Sequence, residues 1–227
     1  MDIQPATLIA ASMILSPTLR RLGAALLIAA APAAIALLPA NAVQAQPDDL
    51  NAIARAIRGI TTLKANFQQA DPNGQVQQGT LQLKQPGHVR FDYKGGDLLV
   101  VADGKSLYMV DYAVSQVERW PIRNSPLGAL LDPSRDLTRY GRLVPTGDTR
   151  FVSAEVKDSA HPEYGTLTLV FARKASAPGG LELTGWIARD AQGNRTTIRL
   201  GGISYGVPIA DSAFKWRDPR PYIRGPR

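Results

Sequence analysis

From Leu63 onward the apolar residues recur at every second position, in short runs separated by turns rich in Gly, Pro and Asp. Successive side chains of an extended chain point to opposite faces, so this period predicts strands with one face buried. Leu63, Ala65 and Phe67 alternate with Lys64, Asn66 and Gln68, and Asp71-Pro72-Asn73-Gly74 turns the chain. The next run opens on Val76 and ends on Leu81 and Leu83, so its apolar phase slips by one; a bulge at Gly79 would reconcile the phases. After Pro86-Gly87, Val89, Phe91 and Tyr93 alternate with His88, Arg90 and Asp92. Residues Leu98 to Val110, folded back at Asp103-Gly104, are apolar in both phases, which predicts that both faces of the sheet are covered there. Further strands are expected at 116–120, 151–156, 166–171, 181–188 and 195–200, with a last short one at Ile203, Tyr205 and Val207. Ten or eleven strands with such turns predict a strongly curved antiparallel sheet or an open barrel.

Two segments break this period. Asp48 and Asp49 precede Leu50, Ile53, Ala54, Ile57 and Ile60, with Arg55 and Arg58 towards the far end and Gly59 as a stop. This spacing predicts an amphipathic helix over 48–59. Ser125-Pro126 followed by Leu127, Leu130 and Leu131 predicts a short inserted helix with a Ser cap and Pro in its first turn. Asp132-Pro133-Ser134 starts a further turn through Leu137 and Tyr140. The fold class is therefore α+β.

The N-terminus is of another kind. Arg20-Arg21 leads into the apolar run Leu22–Leu38 and then into small residues through Ala45. A basic segment, an apolar run and an A-x-A-like site form a secretory signal peptide. Cuts after Ala42 and after Ala45 both fit; Ala45 is preferred because Gln46-Pro47-Asp48 opens the next element. The run could just span a bilayer at about 17 residues, but Pro32 breaks it and no basic stop follows. Arg20-Arg21 lacks the aromatic that usually follows in a twin-arginine signal, and Met13 offers a second start. Residues 1–45 are thus expected to be cleaved, 46–216 to form one domain, and 217–227 to be a loose basic tail rich in Pro and Arg. Removing 1–45 takes away Arg20, Arg21 and Asp2 and lowers the formal net charge of +7 by one.

The candidates for catalysis are few. The chain has no cysteine, which excludes disulfides, thiolate metal sites and a cysteine nucleophile, and also a lipid anchor at the cleavage site. Its two histidines, His88 and His161, have no metal-ligand partner at strand or helix spacing. No nucleophile elbow, zinc-protease motif or phosphate-binding loop is present. Asp71, Asp103, Asp132 and Asp190 fall in turns, where aspartate serves the turn itself. The expectation is a protein that is not an enzyme and carries no cofactor or metal. Scattered basic residues and export argue against nucleic acid as a partner. What remains is an apolar excess on a curved sheet: either an ordinary packed core or an apolar cavity.

The order of several segments adds a resemblance. Phe67-Gln68-Gln69, Gly79-Thr80-Leu81-Gln82-Leu83-Lys84-Gln85-Pro86-Gly87, Arg90-Phe91-Asp92-Tyr93, Ala102-Asp103-Gly104-Lys105-Ser106-Leu107-Tyr108 and Asp111-Tyr112-Ala113-Val114-Ser115-Gln116-Val117 together resemble the LolA family, periplasmic carriers of outer-membrane lipoproteins. Ser125-Pro126-Leu127 through Leu131 looks like that family's lid, and Trp186 with Asp190-Ala191-Gln192-Gly193-Asn194 like its late hairpin. The resemblance spans about residues 48–216. It implies an open half-barrel covered by an N-terminal helix and lid helices, with an apolar cavity for lipoprotein acyl chains. It implies as partners an inner-membrane lipoprotein-releasing ABC transporter and an outer-membrane receptor, and a monomer that shuttles between them in the periplasm. The missing cysteine favours the carrier over the lipid-anchored receptor. On this basis Leu81, Leu83, Val89, Phe91, Tyr93, Leu99, Val101, Leu127, Leu130 and Leu131 are expected to line the cavity or its lid. One position departs from the family: Lys84-Gln85-Pro86 stands where Lys-Arg-Pro is common, and that arginine helps hold the lid closed. Gln85 has no charge and no guanidinium fork, so closure is expected to rest on other contacts or to be weaker. Two further functions fit the same fold, transport of another envelope lipid and a domain that senses lipoproteins and regulates a partner.

Overall fold

The computed structural model describes residues 48–122, 127–134, 136–159 and 161–221. The expected signal peptide, Ser125-Pro126 and the end of the basic tail lie outside them.

One antiparallel sheet of eleven strands holds the chain together. A first meander comprises β1 (Thr62–Ala70), β2 (Val76–Lys84), β3 (His88–Tyr93), β4 (Leu98–Asp103), β5 (Ser106–Asp111) and β6 (Gln116–Pro121). A second comprises β7 (Gly141–Val144), β8 (Phe151–Lys157), β9 (Thr166–Arg173), β10 (Leu181–Arg189) and β11 (Arg195–Tyr205). The two join where the first strand pairs with the last, giving the order β6-β5-β4-β3-β2-β1-β11-β10-β9-β8-β7. The sheet does not close: β6 and β7 are its edges. This is the open half-barrel, covered on its inner face by helices.

The turn aspartates fix the hairpins. Asp71 Oδ1 accepts the backbone N–H groups of Asn73 and Gln75, at 2.9 and 2.8 Å. Asp103 Oδ1 does the same for Lys105 and Ser106, and Asp190 Oδ1 for Gln192 and Asn194. Satisfying loop donors locally is what makes Asp a turn residue.

Helix α1 (Asp49–Gly59) lays Ile53, Ala56 and Ile57 on the inner face of the sheet. It is anchored by Asp49, whose Oδ1 lies 2.7 Å from Arg173 at the end of β9. Two four-residue helices follow β6: α2 (Gly128–Leu131) and α3 (Leu137–Tyr140). Asp136 caps α3 by accepting the Thr138 N–H at 3.0 Å, so the cap is Asp136 and not the Asp132-Pro133-Ser134 turn.

Three local expectations change. No bulge occurs at Gly79: β1 and β2 pair without a register shift from Thr62↔Lys84 to Ala70↔Val76. The phase slip is resolved by leaving Val76 exposed on the outer face, at 57 %, which costs little for one residue at a hairpin end. Strand β7 is short, half-exposed and without alternation, so its sequence carries no strand signal. The run at 195–200 and the Ile203–Tyr205 part of the next are one strand, because Gly201 continues the ladder to β1, with a register irregularity at Gly202 opposite Lys64–Asn66; Val207 lies beyond its end.

Both faces are covered at β4 and β5, as their composition predicts. A second apolar cluster lies on the outer face, where Leu99, Val101 and Val110 pack against Ile209 and Phe214. The segment after β11 supplies that cover. It is pinned by Lys84 Nζ to the Ile209 carbonyl at 3.1 Å, and by Arg90 to the carbonyls of Ala213 and Lys215.

Candidate functional site

The inner face is built by register. Leu81 faces Phe91, Leu83 faces Val89, and Gly79 faces both Phe67 and Tyr93 across the ladders. Directly opposed residues share a face, so these side chains form one apolar wall. Leu81, Leu83, Val89, Phe91 and Tyr93 are all buried there, as their alternation predicts. Phe67 stands edge-on to Phe91 and to Tyr93 with ring centroids 5.3 and 5.0 Å apart, and Phe91 is edge-on to Trp186 of β10 at 6.0 Å. Edge-to-face contact suits the ring quadrupoles. β1 and β3 are thereby locked to β10 of the second meander.

Among the polar groups on the inner face are two that alternation alone passes over. Gln69 occupies the apolar phase of β1, is buried, and accepts the Tyr93 hydroxyl at 2.8 Å. Burial pushes the Tyr93 phenol well above its ordinary pKa, and the Gln69 hydrogen bond offsets this only in part; the ring is neutral at any physiological pH. Tyr93→Phe is expected to lower stability by about 1–3 kcal/mol, because Gln69 is left without its donor. Adding Gln69→Leu should recover most of that loss, and denaturant midpoints of both variants check it. The second intrusion is Glu118 of β6. It faces Met109 on the inner side, and its Oε2 is buried with no hydrogen-bond partner. A glutamine or glutamate in an apolar phase is the signal that finds such positions.

The helices close over the wall. Leu130 and Leu131 of α2 are each 1 % exposed, and Leu127 packs partly buried against the same cluster. Among the described residues, polar contacts from the β2–β3 turn hold α2 to the sheet. Gln85 Nε2 donates to the Leu130 carbonyl at 2.9 Å and to the Ile57 carbonyl at 3.2 Å. The Gly87 N–H donates to the Leu131 carbonyl at 2.9 Å. One amide thus ties the C-terminal turn of α1 to α2, using carbonyls that a helix end leaves without intrahelical donors. Contacts to α2 therefore include Gln85 itself: its amide supplies two donors without a charge.

Two expected residues belong elsewhere. Leu99 and Val101 are opposed to Asp92 and Arg90, which puts them on the outer face beneath Ile209 and Phe214. Their neighbours Val100 and Ala102, opposed to Phe91 and Val89, take the inner positions. In a run apolar in both phases, alternation gives no way to choose the inner one. Of the expected residues, the inner face brings together Leu81, Leu83, Val89, Phe91, Tyr93, Leu127, Leu130 and Leu131.

Comparison with known proteins identifies this architecture. The family model described as outer membrane lipoprotein carrier protein LolA matches residues 58–217. An outer-membrane lipoprotein carrier protein of Cupriavidus necator is 29 % identical over 215 residues, covering 86 % of this chain and 95 % of that protein. One of Chromobacterium violaceum is 32 % identical over 198 residues, covering 82 % of this chain and 92 % of that protein. Among solved structures, a LolA superfamily protein from Nitrosomonas europaea superposes with a TM-score of 0.42 and 13 % identity, over 73 % of this chain and 96 % of its own. With a half-barrel, an apolar inner wall under a clasped helix, and a family match running from the end of α1 to beyond β11, the chain belongs to the LolA family of outer-membrane lipoprotein carrier proteins.

Proposed function

We propose that this protein is a periplasmic carrier that takes lipoprotein acyl chains from an inner-membrane ABC transporter, holds them against the inner face of the half-barrel, and delivers them to an outer-membrane receptor. The observation that carries this reading is the clasp. A four-residue helix with two fully buried leucines is held to the sheet by side-chain and backbone donors of one turn. Such a segment can leave without breaking the strand ladders.

The physical requirement is large. Burying an acyl chain stabilises it by roughly 0.8 kcal/mol per CH₂, so a chain of about sixteen carbons represents roughly 12 kcal/mol. Cargo of that kind does not cross water unaided. Apolar contact is non-directional, so a wall of Leu, Val, Phe and Trp accepts chains without demanding one geometry. No energy source is needed in the carrier itself; the transporter supplies the work of loading.

Gln85 sets how readily the lid opens. Its bond to the Leu130 carbonyl, the one that reaches α2, is worth about 1 kcal/mol, so Gln85→Ala should raise the open population by roughly fivefold. The test uses residues 46–227 and a fluorescent fatty-acid probe. Wild type should bind it with apolar-environment fluorescence, and Gln85→Ala should take up and lose the probe about fivefold faster. A wild-type protein that binds no probe, and no lipoprotein offered in detergent, would sink the carrier reading. Unchanged exchange rates in Gln85→Ala would remove Gln85 from the opening step.

A further inference from the structure

The outer face of the sheet has two unlike halves. Over β4 and β5 it is apolar and covered by the segment after β11. Over the end of β8 to β11 that carries Lys157, Arg189 and Arg195 it is polar and basic. Register places Lys157 of β8, Thr166 of β9, Arg189 of β10 and Arg195 of β11 in a single cross-strand row. Adjacent strands lie about 4.8 Å apart, so the row spans roughly 14 Å. Its three cations are all exposed, and so is Arg199 further along β11. Arg189 and Arg195 are directly opposed. Like charges in that relation are destabilising unless an anion joins them.

Two of the carboxylates nearby are engaged away from the row. Glu155 is paired with Arg142 at 2.9 Å. Asp190 is turned into its own hairpin, where it accepts from Gln192, and from the backbone and side chain of Asn194. Asp158 stands next to Lys157, beside a concavity of about 630 Å³ whose lining includes Arg139, Arg142, Lys157 and His161 together with Glu155 and Asp158. Of these, His161 is paired with Glu163 at 3.0 Å. Among the described residues of this corner, cations outnumber carboxylates.

We propose that this half of the outer face docks on an anionic phospholipid surface. Its cations form a two-dimensional array on a rigid sheet, which suits headgroups spread over a plane. The next row, Glu155, Thr168, Ile187 and Thr197, holds no aromatic residue. Faces for single-stranded nucleic acid rely on aromatic stacking between their cations, and the centre of a protein interface is apolar and depleted of charge. In these two rows no aromatic stands between the cations, and the one apolar side chain is Ile187. Attraction by three or four surface cations is weak, reversible and screened by salt. The proposal stands on the outer face and does not require that the inner face binds acyl chains.

The test is co-sedimentation of residues 46–227 with vesicles of phosphatidylcholine alone and with one-third phosphatidylglycerol. Binding is expected only to the anionic vesicles and should fall steeply with added salt. Arg189→Gln with Arg195→Gln should weaken it roughly 30-fold. Lys94→Gln with Lys105→Gln removes the same charge from hairpin ends outside the row and should change it by less than about threefold. Fatty-acid probe binding should be the same in all three proteins, which separates this outcome from failure of the carrier reading. No binding to anionic vesicles, equal losses in both double variants, or binding to an acidic polypeptide but not to vesicles would each overturn the proposal.

Discussion

Leu130→Glu is expected to leave the sheet folded while fatty-acid retention falls by an order of magnitude or more. Leu130 is 1 % exposed against the inner wall. An ionised carboxylate held there without a partner costs several kcal/mol. The chain has a cheaper response. Releasing α2 gives up the burial of Leu130 and Leu131, about 1.5–3 kcal/mol each, and the bonds from Gln85 and Gly87. The penalty is therefore capped near the cost of opening the lid, and acyl chains lose their cover. The comparison that decides the matter is Leu167→Glu. Leu167 is 2 % exposed on β9, paired to both β8 and β10, and has no such escape, so that variant should fail to fold. Circular dichroism and probe dissociation rates on both distinguish the cases. If Leu130→Glu unfolds as Leu167→Glu does, α2 is part of the core and not a lid.

Gly79→Ala is expected to destabilise the domain by about 3 kcal/mol or more, seen as a fall of roughly 10 °C in Tm. A Cβ at Gly79 would sit 2.0 Å from the Asp92 carbonyl oxygen and 2.7 Å from the Phe67 ring. Neither can yield cheaply. Asp92 belongs to the β3 ladder, and Phe67 is wedged edge-on between Phe91 and Tyr93. The bare backbone at Gly79 is the floor on which the aromatic cluster rests. Gly201→Ala is the control, since a Cβ there meets nothing within 4 Å; its Tm should stay within a degree or two. Equal melting of wild type and Gly79→Ala would show that the cluster can shift at no cost.

Gly79 and Gln85 mark where a sequence stops being legible. Both stand out in the one-dimensional pattern, Gly79 as a break in alternation and Gln85 as a departure from the family triplet. The pattern says that something is special at each, without saying what. The bulge expected at Gly79 does not form, and the contacts to α2 expected to lie elsewhere include the Gln85 amide, because each role depends on atoms distant in sequence: Phe67 and Asp92 for one, Ile57 and Leu130 for the other.

By itself the sequence determined the strands with clean alternation, the turn aspartates, helix α1 and the apolar wall from Leu81 to Tyr93. These follow from period, capping and turn chemistry, which act between residues a few positions apart. It also determined that β4 and β5 are covered twice. Only the tertiary structure decided which phase of that doubly apolar run faces inward, sending Leu99 and Val101 to the outer face. It also decided that 195–205 forms one strand through two glycines, and that Lys157, Arg189 and Arg195 share a row. Each of those outcomes is set by register between strands far apart in the chain. Register is fixed by the summed burial of all the ladders together, and no local window of sequence contains that sum.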